Sequence, residues 1–432
     1  MAAPSPTLRR ALGRWDLTAI GVNQVIGGAV FLMPSQIAAQ IGNWSPLAFL
    51  AAGVASLLVA LCFAEVGSRF ERTGGPYLYA RAAFGRLAAF EIGWMQWFTR
   101  ATSQAAIVNG IAVALAFYWP AMREPRGRVL LIAGLTISLA VINVIGIRES
   151  AWFVEALTVG KLVPLAVFIA AGAFFIDWKR LAPLPPVTLG QAGAAGLLLI
   201  FTYGGFDVIS VPAGEARDPR RDVPFAFVTT IAAVTLVMTL GQIVTMTTLA
   251  DVARSTTPMA DAAMTFLGPL GALMIGIGSV VSMTGNNAGQ VLTGSRMLFA
   301  LAEHGELPRF FGRIHPVHRT PANAIWFTSA AALALALSGS FVWMAAASAV
   351  ARLVTYTGVS AATLVLRRPR YLGQVQPAAF VIPWGPAIPV LATLGSVAVL
   401  AGASRQQLLV GASALAAGAL LFAVNDRSGR RR

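Results

Sequence analysis

The chain has 432 residues, of which only 11% are charged and 57% hydrophobic, against roughly 25% charged in an ordinary soluble protein; its mean hydropathy is +0.71. Seventeen acidic and 32 basic side chains cannot solvate several globular domains, and so apolar a composition excludes disorder. What remains is an all-α membrane protein, and the formal net charge of +15 reads as an orientation signal rather than a nucleic-acid face, because the basic residues fall mostly between apolar runs.

A transmembrane helix needs about 20 mostly apolar residues. Twelve segments meet this, at 15–40, 45–67, 87–118, 128–147, 152–176, 192–214, 224–249, 268–300, 323–341, 343–366, 386–404 and 407–424. Those at 87–118 and 268–300 are too long for one straight span and are expected to tilt or project. The chain then divides into a cytoplasmic tail (1–14), a ten-helix core (15–366), a cytoplasmic loop (367–385), two C-terminal helices (386–424) and a cytoplasmic tail (425–432). The short basic N-terminus runs straight into an apolar segment, so no cleavable signal peptide is expected.

With the N-terminus inside, 22 basic residues fall on the cytoplasmic side. They are Arg9, Arg10 and Arg14; Arg69, Arg72, Arg81 and Arg86; Arg148; Arg217, Arg220 and Arg221; Arg296, Arg309, Arg313 and Arg319; Arg367, Arg368 and Arg370; and Arg427, Arg430, Arg431 and Arg432. Seven fall outside (Arg123, Arg126, Arg128, Lys179, Arg180, Arg254 and Arg405), and Arg100, Lys161 and Arg352 lie within spans. This bias predicts a multi-pass plasma-membrane protein with both termini cytoplasmic.

Two segments are interrupted. The first carries Ile26-Gly27-Gly28-Ala29-Val30-Phe31 before Pro34, and the sixth carries Tyr203-Gly204-Gly205-Phe206-Asp207 before Pro212 and Gly214. Unwound backbone in a membrane is tolerated where it lines a cavity or binds a ligand. Breaks five segments apart predict a five-plus-five inverted repeat, about 15–176 and 192–366, with a binding site between the halves. The alternative is that the glycines serve close helix packing.

Five blocks, in order, resemble amino acid permeases of the amino acid–polyamine–organocation superfamily. They are Leu61-Cys62-Phe63-Ala64-Glu65-Val66-Gly67-Ser68-Arg69-Phe70 with Thr73-Gly74-Gly75-Pro76-Tyr77-Leu78-Tyr79; Gly214-Glu215-Ala216-Arg217-Asp218-Pro219 through Pro224; Gly294-Ser295-Arg296-Met297-Leu298; Leu307-Pro308 with Arg319-Thr320-Pro321-Ala322-Asn323-Ala324; and Leu366-Arg367-Arg368 with Pro383-Trp384-Gly385-Pro386. The resemblance implies alternating access and an amino acid held between the first and sixth helices. Gly27, Gly28 and Ala29 match the family's Gly-Ser-Gly-like motif. Ala29 departs from it, and alanine resists the positive φ that glycine accepts. Glu71 departs where the family often has Pro.

A zwitterion needs a partner for each charge. Free N–H groups at a half-helix start suit a carboxylate, which assigns Gly27, Gly28 and Ala29. Freed carbonyls suit an ammonium, which assigns backbone at Val25, Ile26, Phe201, Tyr203 and Gly204, with Gly205 a further substrate-binding candidate. Tyr203 and Phe206 are candidates to close over the substrate, or to pack. Lys161 lies roughly 14 Å into the fifth segment, where an unpaired ammonium is expensive. By resemblance it stands where sodium sits in sodium-coupled relatives and would carry the coupled proton; the alternative is a static brace. Arg100 and Arg352 are expected to pair with an acid, of which Glu65, Glu91 and Asp207 are available, or with broken-helix carbonyls, with a gate role second. Asp207 is a candidate sensor of a cationic substrate, a gate, or a partner for those arginines. Asn286 and Asn287 are candidates to face the site across from Lys161, or to hydrogen-bond between helices, as are Gln104 and Asn109.

The expectation is a secondary active transporter of an amino acid or related amine, proton-coupled, in the lipid bilayer. An exchanger with a structural Lys161 is the alternative. A membrane enzyme lacks a catalytic cluster, since Cys62 is the only Cys and His304, His315 and His318 share one polar segment; a channel lacks a charge ring; and a transport-dead sensor ranks behind a carrier. No cofactor, metal or nucleic acid is expected.

Overall fold

A run of Leu, Ala, Val and Ile in lipid can satisfy its backbone only within itself, which makes helix the default for each apolar segment. The structure is a computed structural model, described over residues 12–71, 74–145, 151–371 and 373–429. Arg9, Arg10, Arg72, Thr73, Arg148, Arg430, Arg431 and Arg432 lie outside the described residues.

The helices are α1 (Arg14–Val25), α2 (Ala29–Ile41), α3 (Ser45–Gly67), α4 (Pro76–Phe84), α5 (Arg86–Tyr118), α6 (Pro125–Ile145), α7 (Ala151–Gly172), α8 (Leu189–Thr202), α9 (Pro219–Thr248), α10 (Pro258–Glu303), α11 (Ala322–Ser338), α12 (Phe341–Leu366), α13 (Ala387–Ala401) and α14 (Arg405–Gly429). A 3₁₀ segment, Phe206–Glu215, follows α8. Helix lies on each of the twelve predicted segments. Among the described residues, six helical stretches are long and apolar enough to cross a membrane by length and composition, and four shorter apolar helices accompany them. The protein is an all-helical membrane protein.

Three features depart from the sequence reading. The predicted loop after α3 contains α4, set between Gly75 (φ +50) and Gly85 (φ +88), with Pro76 at its first turn, where a missing N–H costs nothing. The long segment at 268–300 is preceded by a separate short helical stretch from Pro258, broken at Gly268 (φ 68). The last helix runs to Gly429 rather than ending at 424. By contrast α5 is continuous over 33 residues, about 50 Å at 1.5 Å per residue, well beyond a hydrocarbon core of about 30 Å.

Leu130, Leu236, Leu270, Leu394 and Leu420 on α6, α9, α10, α13 and α14 are each more than half exposed; such apolar surface costs nothing against acyl chains. The interior is filled instead by α1, α2, α3, α5, the α8 region, α9, α10 and α12.

Three of the sequence blocks meet at one end of the bundle. Glu65, fully buried, accepts from Arg367 Nε (2.7 Å) and Nη2 (2.5 Å) and from the Ile382 backbone N–H (2.9 Å). Ser68 Oγ accepts from the N–H groups of Ala379 (3.1 Å) and Phe380 (3.2 Å). Arg220 donates to the carbonyls of Ser68 (3.2 Å) and Pro377 (2.5 Å). This clasp folds the segment after α12 onto the ends of α3 and α9. Removing the Glu65 carboxylate strands a guanidinium and a buried N–H, at a cost of roughly 3 kcal/mol. Glu65→Ala should therefore lower the apparent melting temperature of the detergent-solubilised protein by several degrees, with Glu124→Ala, at an exposed position, as the control that leaves it unchanged. Equal melting of the two variants would remove the clasp from the account of stability.

Candidate functional site

Helix α1 stops at Val25 and α2 starts at Ala29, so the first segment is interrupted over 26–28. A Cβ added at Gly27 would lie 2.8 Å from Asn286 Nδ2, and one at Gly28 would lie 2.5 Å from Met283 Cγ. Any larger residue would push the break off α10. The requirement is closeness, not left-handed backbone: Gly28 is right-handed (φ −74, ψ −26) and Ala29 opens α2. The expectation that Ala29 strains the motif through positive φ therefore does not hold.

The break frees carbonyls on one side and N–H groups on the other. Lys161 Nζ donates to Asn23 O (2.6 Å) and Ile26 O (2.9 Å). Asn286 Nδ2 donates to Gln24 O (2.7 Å), and Ser282 Oγ lies 3.3 Å from both Ile26 O and Gly27 O. Lys161 is 1% exposed, and its ammonium sits at the negative end of the α1 dipole. The N–H groups of Gly28, Ala29 and Val30 have no acceptor among the described residues.

The sixth segment breaks where α8 ends, over Tyr203, Gly204 and Gly205. Gly205 has φ +126, and a Cβ there would lie 2.8 Å from Gln24 O. Only glycine meets both demands. The two breaks thus touch. Asp207 opens the 3₁₀ segment and accepts from both arginines: Arg100 Nη2 on Oδ2, and Arg352 Nη1 on Oδ1 (3.0 Å). All three side chains are at most 5% exposed. Arg100 Nη1 also donates to Gln290 Oε1 (3.4 Å), and Gln290 Nε2 to Asn286 Oδ1 (3.2 Å). Arg352 Nη2 reaches Ser103 Oγ (3.5 Å), which shares a hydrogen bond with Ser348 Oγ (2.7 Å). One polar network therefore runs from the α1 break through α10 and α5 to Asp207 and α12. The other acids offered to the arginines lie elsewhere: Glu65 is in the clasp, and Glu91 abuts Gly418 on α14.

Between the breaks lies a cavity of about 20 Å³, lined by Gln24, Val25, Gly27, Gly28, Ala29, Ser103, Ile107, Phe201, Gly204, Asn286, Gln290 and Arg352. It has room for about one water, so the site is closed. Tyr203 and Phe206, expected over the site, are turned away from it. Tyr203 Oη donates to Phe49 O (2.8 Å), and Phe206 packs among Phe63, Phe227 and Tyr356, with ring centroids 5.1–6.1 Å away. The ring at the cavity is Phe201. It meets Phe341 edge-to-face at 6.1 Å, and Phe341 lines a vestibule of about 660 Å³ with Leu32, Gln36, Asn109, Arg128 and Ser340. Closure is unequal: an aromatic pair on the vestibule side, and the charged triad backed by the Phe206 cluster on the other.

Gln24, Ser103, Ser282, Gln290 and Phe341 were not singled out from sequence. A signal existed for part of the set, since Ser282, Asn286 and Gln290 recur every fourth residue and share one face of α10. Asn287 and Gln104, one position off such faces, are buried with no side-chain partner among the described residues. Asn109 accepts from Arg128 (2.5 Å) and donates to Ala336 O (3.0 Å), beside the vestibule rather than at the cavity.

The sequence matches the family model for amino acid permeases over residues 12–423. The serine/threonine exchanger SteT of Bacillus subtilis (strain 168) is 28% identical over 418 residues, covering 91% of each chain. The branched-chain amino acid permease BcaP of the same organism is 27% identical over 413 residues, covering 90% of this chain and 87% of its own. The methylthioribose transporter of that organism is 25% identical over 403 residues, with the same two coverages. With the match extending over nearly the whole chain, the protein belongs to the amino acid permease family.

Proposed function

We propose that the protein is a secondary active transporter that carries an amino acid across the plasma membrane by alternating access, through twelve spans arranged as a five-plus-five repeat with two C-terminal helices, both termini cytoplasmic. The observation that carries this reading is the pair of interrupted helices around a closed cavity. The free N–H groups of Gly28, Ala29 and Val30 offer a carboxylate the positive end of α2. Carbonyls at the α8 end are the partners for the ammonium, since those at the end of α1 are already taken by Lys161, Asn286 and Ser282. The 660 Å³ vestibule, at the end carrying Arg128 and Ser340, is the extracellular approach. Opening outward needs the Phe201–Phe341 contact to part; opening inward needs the Asp207 triad and the cluster behind it to move.

Lys161 is the coupling residue in this reading. As an ammonium it holds two carbonyls at the end of α1. Loss of its proton would remove the charge that strengthens those two bonds and so loosen that half-helix from α7. The exchanger reading, in which Lys161 is a fixed brace, is favoured by the same two contacts, which already satisfy the ammonium with no substrate bound.

Three outcomes are expected. Gly27→Leu, which forces a side chain into Asn286, should abolish substrate-induced thermal stabilisation in a protein that still elutes as a single species; unchanged affinity would remove the carboxylate assignment. Lys161→Ala should flatten the pH dependence of uptake into proteoliposomes, and a variant that keeps the full pH response would leave Lys161 as a brace and favour exchange. Replacing sodium with choline should leave uptake unchanged, whereas a large drop would point to sodium coupling.

A further inference from the structure

The charges around the cavity do not balance. Arg100, Arg352 and Lys161 are buried beside it, and the only acid among the described residues in their network is Asp207. Glu65 is held by Arg367 at the clasp and Glu91 faces α14. Both Asp207 oxygens already accept from a guanidinium, so its single negative charge is already outweighed by two arginines before any cationic side chain arrives. Bringing a further positive charge into a buried, positive site is opposed by its field.

Arg352 has capacity to spare. It lines the cavity and is 3% exposed, and its Nε–H has no hydrogen-bond partner among the described residues. A buried unpaired guanidinium N–H is a donor awaiting an acceptor. It stands in the same small cavity as Gly28 and Ala29, so a ligand held by the α2 N-terminus has this donor within its own length. The guanidinium lies over Gly204, where a Cβ would approach to 2.4 Å, so the helix break itself makes room for it.

Resting on the transport reading above, we propose that the substrate is an amino acid with an anionic side chain, whose second carboxylate is received by Arg352 while its α-carboxylate takes the α2 N–H groups. A carboxylate there completes the donor set of Arg352 and offsets one of the two surplus positive charges. A neutral amino acid does neither, and a basic one adds to the imbalance. Arg352 is thus the specificity-determining residue, and Arg100, one helix away on Asp207 and Gln290, is a positioning residue that holds the acid in place.

The test is uptake by the purified full-length protein in proteoliposomes, with L-glutamate, L-aspartate, L-alanine and L-arginine supplied separately. One of the two acidic amino acids should be taken up at least tenfold better than alanine or arginine at equal low concentration. Preference for alanine or arginine would overturn the inference and leave the transport reading standing, while the absence of uptake or thermal stabilisation with any amino acid would overturn both. Arg352→Gln leaves Asp207 paired one-to-one with Arg100, so it should fold. It should lower the acidic-to-neutral uptake ratio at least 30-fold, and Arg352→Lys, which keeps the charge without the planar fork, should fall between. An unchanged ratio in folded Arg352→Gln would overturn the assignment of Arg352.

Discussion

A helix interrupted in the middle of a membrane leaves backbone groups with no water to meet them, and the interior of this protein is organised around that single debt at residues 26–28. The carbonyl side is settled within the protein by Lys161, Asn286 and Ser282. These side chains reach it only because α10 and α7 come close. That closeness is why Gly27 and Gly28 have no room for a side chain. The N–H side is left open. The break therefore has a polarity of its own, saturated at its negative end and available at its positive end, and this alone favours a ligand that presents a carboxylate.

The second break is held differently. Asp207 ties the 3₁₀ segment to α5 through Arg100 and to α12 through Arg352. Two arginines on one buried acid make a joint that is strong as long as all three stay together, because parting any of them exposes an uncompensated charge to low dielectric. The Phe201–Phe341 contact, by comparison, is one aromatic pair, of the kind worth about 1 kcal/mol beyond the area it buries. The site is closed by a light barrier on one side and a heavy one on the other. Under the proposed alternating access, a transition to the opposite orientation would have to reorganise the heavy one, and the proposed ligand contact with Arg352 would act directly on that joint.

Much of this was legible in the sequence because it depends on local composition. Apolar runs specify helix wherever they occur, and the Gly27-Gly28 and Gly204-Gly205 pairs mark the breaks. What was not legible depends on approach between helices. Which acid meets Arg100 and Arg352 is decided by the position of the 3₁₀ segment, not by spacing along the chain. Tyr203 has the character of a substrate-covering ring, yet it spends its hydroxyl on Phe49 O. Helix α4 was read as loop because nine residues with two tyrosines and Arg81 carry no span-length apolar signal; its marks are the flanking glycines, whose positive φ appears only in the folded backbone. Ala29 is tolerated for a related reason, since the motif's glycines answer to a neighbouring helix and not to their own torsion angles.

The three buried cations are not equivalent. Arginine keeps its charge in proteins, so Arg100 and Arg352 present a constant field to whatever enters the cavity. Lysine can give up its proton and take it back. Lys161 is also the one cation of the three that bonds to backbone rather than to an acid. Its contacts bear on the attachment of α1, while those of the arginines bear on Asp207. In the proposed reading, recognition and coupling fall to different side chains on different helices, linked by the Gln290–Asn286 bridge to the same break in α1. A change at Arg352 can then alter what is carried without removing the residue through which a proton would drive it.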